Sequence, residues 1–183
     1  SSAIVRRTLP KHRVVITEGD ANQCLYIMLG GRAKVQRSDA DGREVILAVL
    51  QPGEFFGEMG LIDELPRSAT VITLEQCEFL TLNKDDFRRC LATNHDMAML
   101  IMRGLVRRLR EADGKIESLA LLDVYGRVAR VLMEFSEMVD GRRQVRGKLP
   151  RQDVAKMIGA SREMVSRVMK GLEIDGFIVP QPD

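Results

Sequence analysis

Between positions 10 and 82 the apolar residues come in short runs separated by turn residues. The runs are Val14-Val15-Ile16, Leu25-Tyr26-Ile27-Met28-Leu29, Val45-Ile46-Leu47-Ala48-Val49-Leu50, Thr70-Val71-Ile72 and Phe79-Leu80-Thr81-Leu82. Glu18-Gly19-Asp20, Gly30-Gly31, Asp39-Ala40-Asp41-Gly42 and Gln51-Pro52-Gly53 lie between them. Short β-branched runs with turn signals about every ten residues predict an antiparallel sandwich or barrel. Asp41-Gly42 predicts the tip of a hairpin between Lys34-Val35-Gln36 and Val45-Ile46-Leu47. From 94 to 122 the period changes. Ala98, Met102, Leu105, Leu109, Ala112, Ile116 and Leu119 recur at spacings 4, 3, 4, 3, 4, 3, a heptad repeat, with Arg103, Arg107, Arg110, Glu111, Lys115 and Glu117 on its flanks. Such a helix either lies on the protein's own core or forms a seam with a second copy, and the regular alternation favours the seam. Gly104 and Gly114 each lower helix propensity by roughly 1 kcal/mol relative to alanine, so the helix needs a partner surface.

A further helix is predicted near Val124–Met138, followed by a turn-rich connection over 140–147. Then comes a run from Arg151 to Lys170 in which Ala155 is the fifth residue and Gly159 the ninth. A small fifth residue lets two helices approach, and Gly159 permits the left-handed turn between them. Val154, Ile158, Ala160, Val165 and Val168 fall at the buried positions of such a pair. Ser161 is a natural cap for the second helix and Gly176 a natural stop after it. This is a helix-turn-helix. Its second helix opens with Arg162, Glu163, Ser166 and Arg167; arginine pairs bidentately with guanine and glutamate accepts from cytosine. A plain helical hairpin with a charged face is the alternative; the turn spacing favours DNA reading.

One stretch breaks the strand rhythm: Gly53-Glu54-Phe55-Phe56-Gly57-Glu58-Met59-Gly60-Leu61-Ile62, followed by Pro66-Arg67-Ser68-Ala69. Its glycines allow backbone N–H groups to approach a ligand closely. Glu58 is a carboxylate among them, and Arg67 with Ser68 suits a phosphate. The alternative is a loop turning a corner with Glu58 and Arg67 at the surface, and composition alone favours that loop.

The 183 residues suffice for one mid-sized or two small domains, and 45% apolar with 30% charged residues is ordinary for a folded chain. No apolar run is long enough to span a bilayer, and no signal-like segment opens the chain, so a cytoplasmic protein without membrane partners is expected. Cys24, Cys77 and Cys90 lie far apart, which argues against a disulfide scaffold and a zinc site. Iron–sulfur ligation lacks clustered cysteines, and haem ligation lacks a placed histidine, since His12 and His95 read as surface residues. Tyr125 and Phe177 read as core. Nothing assembles a nucleophile–base pair, so an enzyme is not expected. The net charge of +2 is small; the surplus sits in residues 124–183, where eleven basic residues face eight acidic ones.

The order of these parts resembles the Crp–Fnr family of bacterial transcription regulators, from about Pro10 to Val179. The specific segments are Phe56-Gly57-Glu58-Met59-Gly60-Leu61 with Arg67-Ser68-Ala69, Leu122-Asp123-Val124-Tyr125-Gly126-Arg127, and Ser161-Arg162-Glu163-Met164-Val165-Ser166-Arg167. The resemblance implies an α+β chain. A cyclic-nucleotide-binding-like antiparallel β-roll over 1–93 precedes a coiled-coil dimerisation helix over 94–122 and a winged helix-turn-helix over 123–183. Relative to the family, the part before the first strand is short and the wing after Phe177-Ile178-Val179 is missing. The resemblance also implies a cyclic nucleotide as effector, cyclic AMP or a cyclic dinucleotide, and no metal, haem or iron–sulfur cluster. Glu58 would accept the ribose 2′-hydroxyl, Arg67 and Ser68 would bind the phosphate, and Gly57, Met59 and Gly60 would line the backbone approach. Arg108 would lie near the phosphate. Ala112 and Asp113 stand where cyclic-AMP-binding members carry a threonine–serine pair, so base recognition departs from that pattern. Arg162, Glu163 and Arg167 match the family's base-reading residues, with Ser161, Ser166, Arg151 and Lys170 beside them. The implied partners are a palindrome of TGTGA-like half-sites, a second copy of the chain, and RNA polymerase. Cyclic-nucleotide β-rolls also gate kinases and channels, but those proteins lack a base-reading helix.

Overall fold

The computed structural model describes residues 4–21, 24–145 and 147–180. The chain divides into two compact units, Ser1–Leu109 and Arg110–Asp183. The first is built on β1 (Val5–Leu9), β2 (Val14–Ile16), β3 (Cys24–Gly30), β4 (Ala33–Ser38), β5 (Glu44–Leu50), β6 (Phe55–Phe56), α1 (Met59–Ile62), β7 (Thr70–Thr73), β8 (Cys77–Asn83) and α2 (Lys84–Thr93). Two antiparallel four-stranded sheets, in the orders β1-β8-β3-β6 and β2-β7-β4-β5, form the roll that the apolar runs predict. The hairpin tip at Asp41-Gly42 is present, with the Gly42 N–H donating to Asp39 O across 3.0 Å.

Within the first sheet β3 is buried on both faces, which is why it reads as an unbroken apolar run. Tyr26 and Met28 point into the roll, where Tyr26 stacks on Phe56 at 4.9 Å and Phe79 meets both rings edge-on. Leu25 points the other way, into a second cluster with Phe55, Leu61, Leu82, Phe87 and Ile101. That cluster is closed by α2 and by α3 (His95–Leu121). Phe79 and Phe87 are fully buried, each stabilising the fold by about 2–3 kcal/mol. Asn83 caps α2 by accepting from the Asp86 N–H.

The helix predicted over 94–122 spans His95–Leu121 and has two apolar aspects. Met97, Ile101 and Leu105 pack on the roll, while Met102, Val106, Leu109, Ile116 and Leu119 stand about half or more exposed. Leu105 therefore leans on the protein's own core although it occupies a heptad position. Gly104 explains itself here. A Cβ at that position would lie 2.4 Å from the Phe55 ring, so glycine lets α3 settle directly on β6.

The second unit contains α4 (Val124–Glu134), β9 (Ser136–Val139), β10 (Arg142–Val145), α5 (Arg151–Ile158) and α6 (Arg162–Ile174). The three helices enclose Val128, Val131, Val154, Ala155, Ile158, Val165 and Leu172. The structure corrects two boundaries. The helix expected to reach Met138 stops at Glu134, and the connection expected over 140–147 is largely a hairpin. Asp140 and Gly141, at φ 49° and 78°, form a two-residue turn that pairs Val139 with Arg142 and draws 136–139 out of the helix. Arg146, within that stretch, lies outside the described residues. Ahead of the first apolar run, β1 joins the roll by pairing with β8. Phe177 is 73% exposed and Tyr125 partly exposed, so neither is a core residue. Among the described residues no helix is long and apolar enough to cross a membrane.

Candidate functional site

The glycine cassette leaves β6 and turns sharply at Gly57, whose φ is 84°. A Cβ there would sit 2.2 Å from Arg67 Nη1, so the position has no room for a side chain. Gly57 and the start of α1 direct Glu58 inward, and Glu58 and Arg67 are buried, at 1% and 6% exposure. The surface-charge reading of these two residues is therefore overturned.

Each has defined partners. Arg67 donates from Nη1 to Gly57 O and from Nη2 to Cys24 O, both across 2.8 Å, and its guanidinium lies 5.9 Å above the Tyr26 ring. Burial lowers its pKa from the ordinary arginine value, opposed chiefly by the nearby Tyr26 and Cys24. Glu58 Oε1 accepts from Arg108 Nη1 at 2.6 Å, while Glu58 Oε2 is buried with no hydrogen-bond partner. Burial raises the Glu58 carboxyl above the ordinary glutamate value, and the Arg108 charge opposes the rise. Arg108 reaches the cassette from α3, donates also to Phe55 O, and holds its guanidinium 5.0 Å above the Phe55 ring.

The other cassette residues take different places. Gly60 is buried, while Met59 and Ser68 lie at the exposed rim, with Ser68 Oγ 3.6 Å from Met59 Sδ. Ala112 and Asp113 lie exposed on α3, about one turn beyond Arg108. The cassette thus joins a buried carboxylate with one unsatisfied oxygen to two guanidinium groups and a bare backbone corner. That set can accept a hydroxyl hydrogen and attract an anion. Local reading missed that Phe55 is the anchor for Arg108 and that Arg107 bonds Glu54 at 3.1 Å. The Arg107-Arg108 doublet is the sequence signal for both.

In the second unit α5 ends at Gly159, which is left-handed at φ 64° and ψ 43°. Ser161 Oγ then accepts from the Met164 N–H at 3.1 Å and caps α6. Val165 and Leu172 face the core, which leaves Arg162, Glu163, Arg167 and Lys170 exposed and Ser166 half-buried on the opposite side. Hydrogen bonds from the Glu163 N–H and Ser161 keep the Glu163 carboxyl below the ordinary glutamate value, so it stays an acceptor. Arg151 opens α5, with Nη2 4.0 Å from Glu173 Oε1.

Residues 6–94 match the cyclic nucleotide-binding domain, and residues 126–182 match the Crp-like helix-turn-helix domain. The chain is 36% identical over 168 residues to the cAMP-activated global transcriptional regulator CRP of Pasteurella multocida, covering 90% of this chain and 80% of that one. It is 34% identical over 180 residues to the cAMP-activated regulator Vfr of Pseudomonas aeruginosa, covering 94% and 84%. Among solved structures, the c-di-GMP-responsive global regulator CLP of Xanthomonas campestris is similar at a TM-score of 0.82 and 31% identity, covering 98% of this chain and 91% of that one. FixK2 of Bradyrhizobium japonicum shares the fold, at a TM-score of 0.86 and 20% identity over 99% and 90% of the two chains.

Proposed function

This chain belongs to the Crp family of DNA-binding transcription regulators, and we propose that a cyclic nucleotide held by the Glu58–Arg67–Arg108 cassette controls it. It is a regulator and not an enzyme. The observation that carries the effector reading is Glu58 Oε2, a carboxylate oxygen buried without a hydrogen-bond partner. Such an atom is costly unless a donor arrives, and a ribose 2′-hydroxyl is a donor of the right kind. Arg67 has two of its donors committed to backbone carbonyls, so its guanidinium is already oriented for a phosphate, with Ser68 at the rim. Gly57, Met59 and Gly60 form the backbone approach, and Arg108 braces the carboxylate.

Two effectors fit this chemistry. The relatives CRP and Vfr are named as cAMP-activated, which favours cyclic AMP. Ala112 offers a base no hydrogen bond through its side chain, whereas Asp113 offers a carboxylate that accepts from an exocyclic amine or a guanine N1–H. That pair, together with a c-di-GMP-responsive relative, favours a cyclic dinucleotide as the second reading. Isothermal calorimetry with cyclic AMP, cyclic GMP, cyclic di-AMP and cyclic di-GMP tests the assignment. At least one of them binds saturably, and Glu58→Ala abolishes the heat. No heat from any of the four would contradict the effector reading.

The output is sequence-specific DNA binding. Arg162, Glu163 and Arg167 read bases, Ser161 and Ser166 support them, and Arg151 and Lys170 contact phosphates. Two copies joined along the exposed α3 stripe of Met102, Leu109, Ile116 and Leu119 present two α6 helices to a palindrome of TGTGA-like half-sites. RNA polymerase is the partner through which such a complex acts on transcription, in the cytoplasm.

A further inference from the structure

Attraction to duplex DNA comes mainly from cations that displace phosphate counterions, so the position of a DNA-binding domain's surplus charge has consequences. Over residues 124–183 eleven Lys and Arg face eight Asp and Glu. Five of the eleven, Arg142, Arg143, Arg146, Lys148 and Arg151, fall within ten positions that hold no acidic residue. Outside that stretch six cations face eight carboxylates, so the rest of the region is net acidic. The recognition helix is close to neutral, with Arg162, Arg167 and Lys170 set against Glu163 and Glu173. It can specify a sequence, but it supplies little of the bulk attraction.

The structure places two of these arginines on a hairpin strand. The tight Asp140-Gly141 turn closes the β9–β10 hairpin, with Arg142 opposite Val139 and Arg143 opposite Met138. Adjacent residues of a strand point to opposite faces, so the two side chains straddle the β10 edge, and both are exposed. Arg143 Nη1 donates to Ser136 Oγ at 3.3 Å, a neutral partner that leaves its charge uncompensated. Neither arginine is ion-paired among the described residues.

We propose that the β10 edge, led by Arg142 and Arg143, is a second DNA contact that neutralises phosphates flanking the half-site without reading bases. This rests on the DNA-binding reading above. The test is the salt dependence of binding by the full chain, without nucleotide and with each of the four nucleotides at saturation, to a duplex carrying two TGTGA-like half-sites. In Arg142→Gln/Arg143→Gln the slope of log K against log salt falls by about 0.9 for each phosphate no longer neutralised, up to about 1.8 per protomer. The sequence selected from random DNA stays the same, and Arg142→Lys/Arg143→Lys, which keeps both charges, restores the slope. An unchanged slope in the glutamine variant would overturn the proposal, including the case in which transcription falls while DNA binding does not, as a protein-docking patch would give. A wild-type chain that shows no site-specific binding with or without the nucleotides would instead defeat the DNA-binding reading itself.

Discussion

Arg108→Ala is expected to destabilise the β-roll by about 3 kcal/mol, because it leaves the buried Glu58 carboxylate without its cation. For a unit of this size that lowers the melting temperature by roughly 10 °C. The loss depends on pH. Burial already raises the Glu58 carboxyl, and removing Arg108 removes the charge that opposes the rise. A carboxyl held higher in the folded than in the unfolded chain contributes stability that is fully present below its unfolded pKa and is lost as pH rises through its folded pKa. The variant's deficit against wild type is therefore larger at pH 8 than at pH 5. Adding Glu58→Gln removes the stranded charge and recovers most of the stability, although neither variant holds the effector. Thermal melts of wild type, both single variants and the double variant across pH check this. An Arg108→Ala chain that melts with wild type would show that the ion pair does not brace the cassette.

Arg162→Ala is expected to relax selection at one outer guanine of each half-site and leave the inner positions selective. A bidentate arginine–guanine pair discriminates by about 1–3 kcal/mol, a loss of roughly 5–150-fold at that position. Ser161 caps α6 and Val165 anchors it, so the helix keeps its place when the exposed Arg162 is shortened. Arg167→Ala, five residues further along α6, removes selection at an inner guanine instead. Selection from random duplexes by the wild type and the two variants reads both effects. The same preferred sequence from wild type and Arg162→Ala would show that this arginine reads no base.

What the sequence revealed followed from how local each signal is. β3 and β5 were legible because their runs are dense in apolar residues, and in β3 both faces are buried. β1 was not, because Val5-Arg6-Arg7-Thr8 is exposed and the strand is defined only by its pairing with β8, about seventy residues away. The β9–β10 hairpin has a readable Asp-Gly turn, but its strands, Ser136-Glu137-Met138-Val139 and Arg142-Arg143-Gln144-Val145, lack alternation. In α3 a single heptad pattern merges two aspects of the helix, one that packs Ile101 and Leu105 against the Phe55 cluster and one that is exposed. The helix-turn-helix is legible in Ala155, Gly159 and Ser161 because a turn of that geometry needs those residue types locally. In the cassette the glycines and Arg67 were visible as a pattern, but the burial of Glu58 was not. It depends on Arg108, fifty residues further along the chain, and on Phe55, which carries that arginine.

The roll and the DNA-binding unit are expected to be energetically linked, so that a nucleotide on the roll changes how the second unit holds DNA. Fluorescence anisotropy of a labelled duplex with two TGTGA-like half-sites, titrated with protein at zero and at saturating nucleotide, measures that linkage directly. With the nucleotide identified by calorimetry, the expected result is a change in DNA affinity of about 5–150-fold, and the same factor in nucleotide affinity when DNA is saturating. Equal DNA affinity with and without every nucleotide of the panel would contradict it.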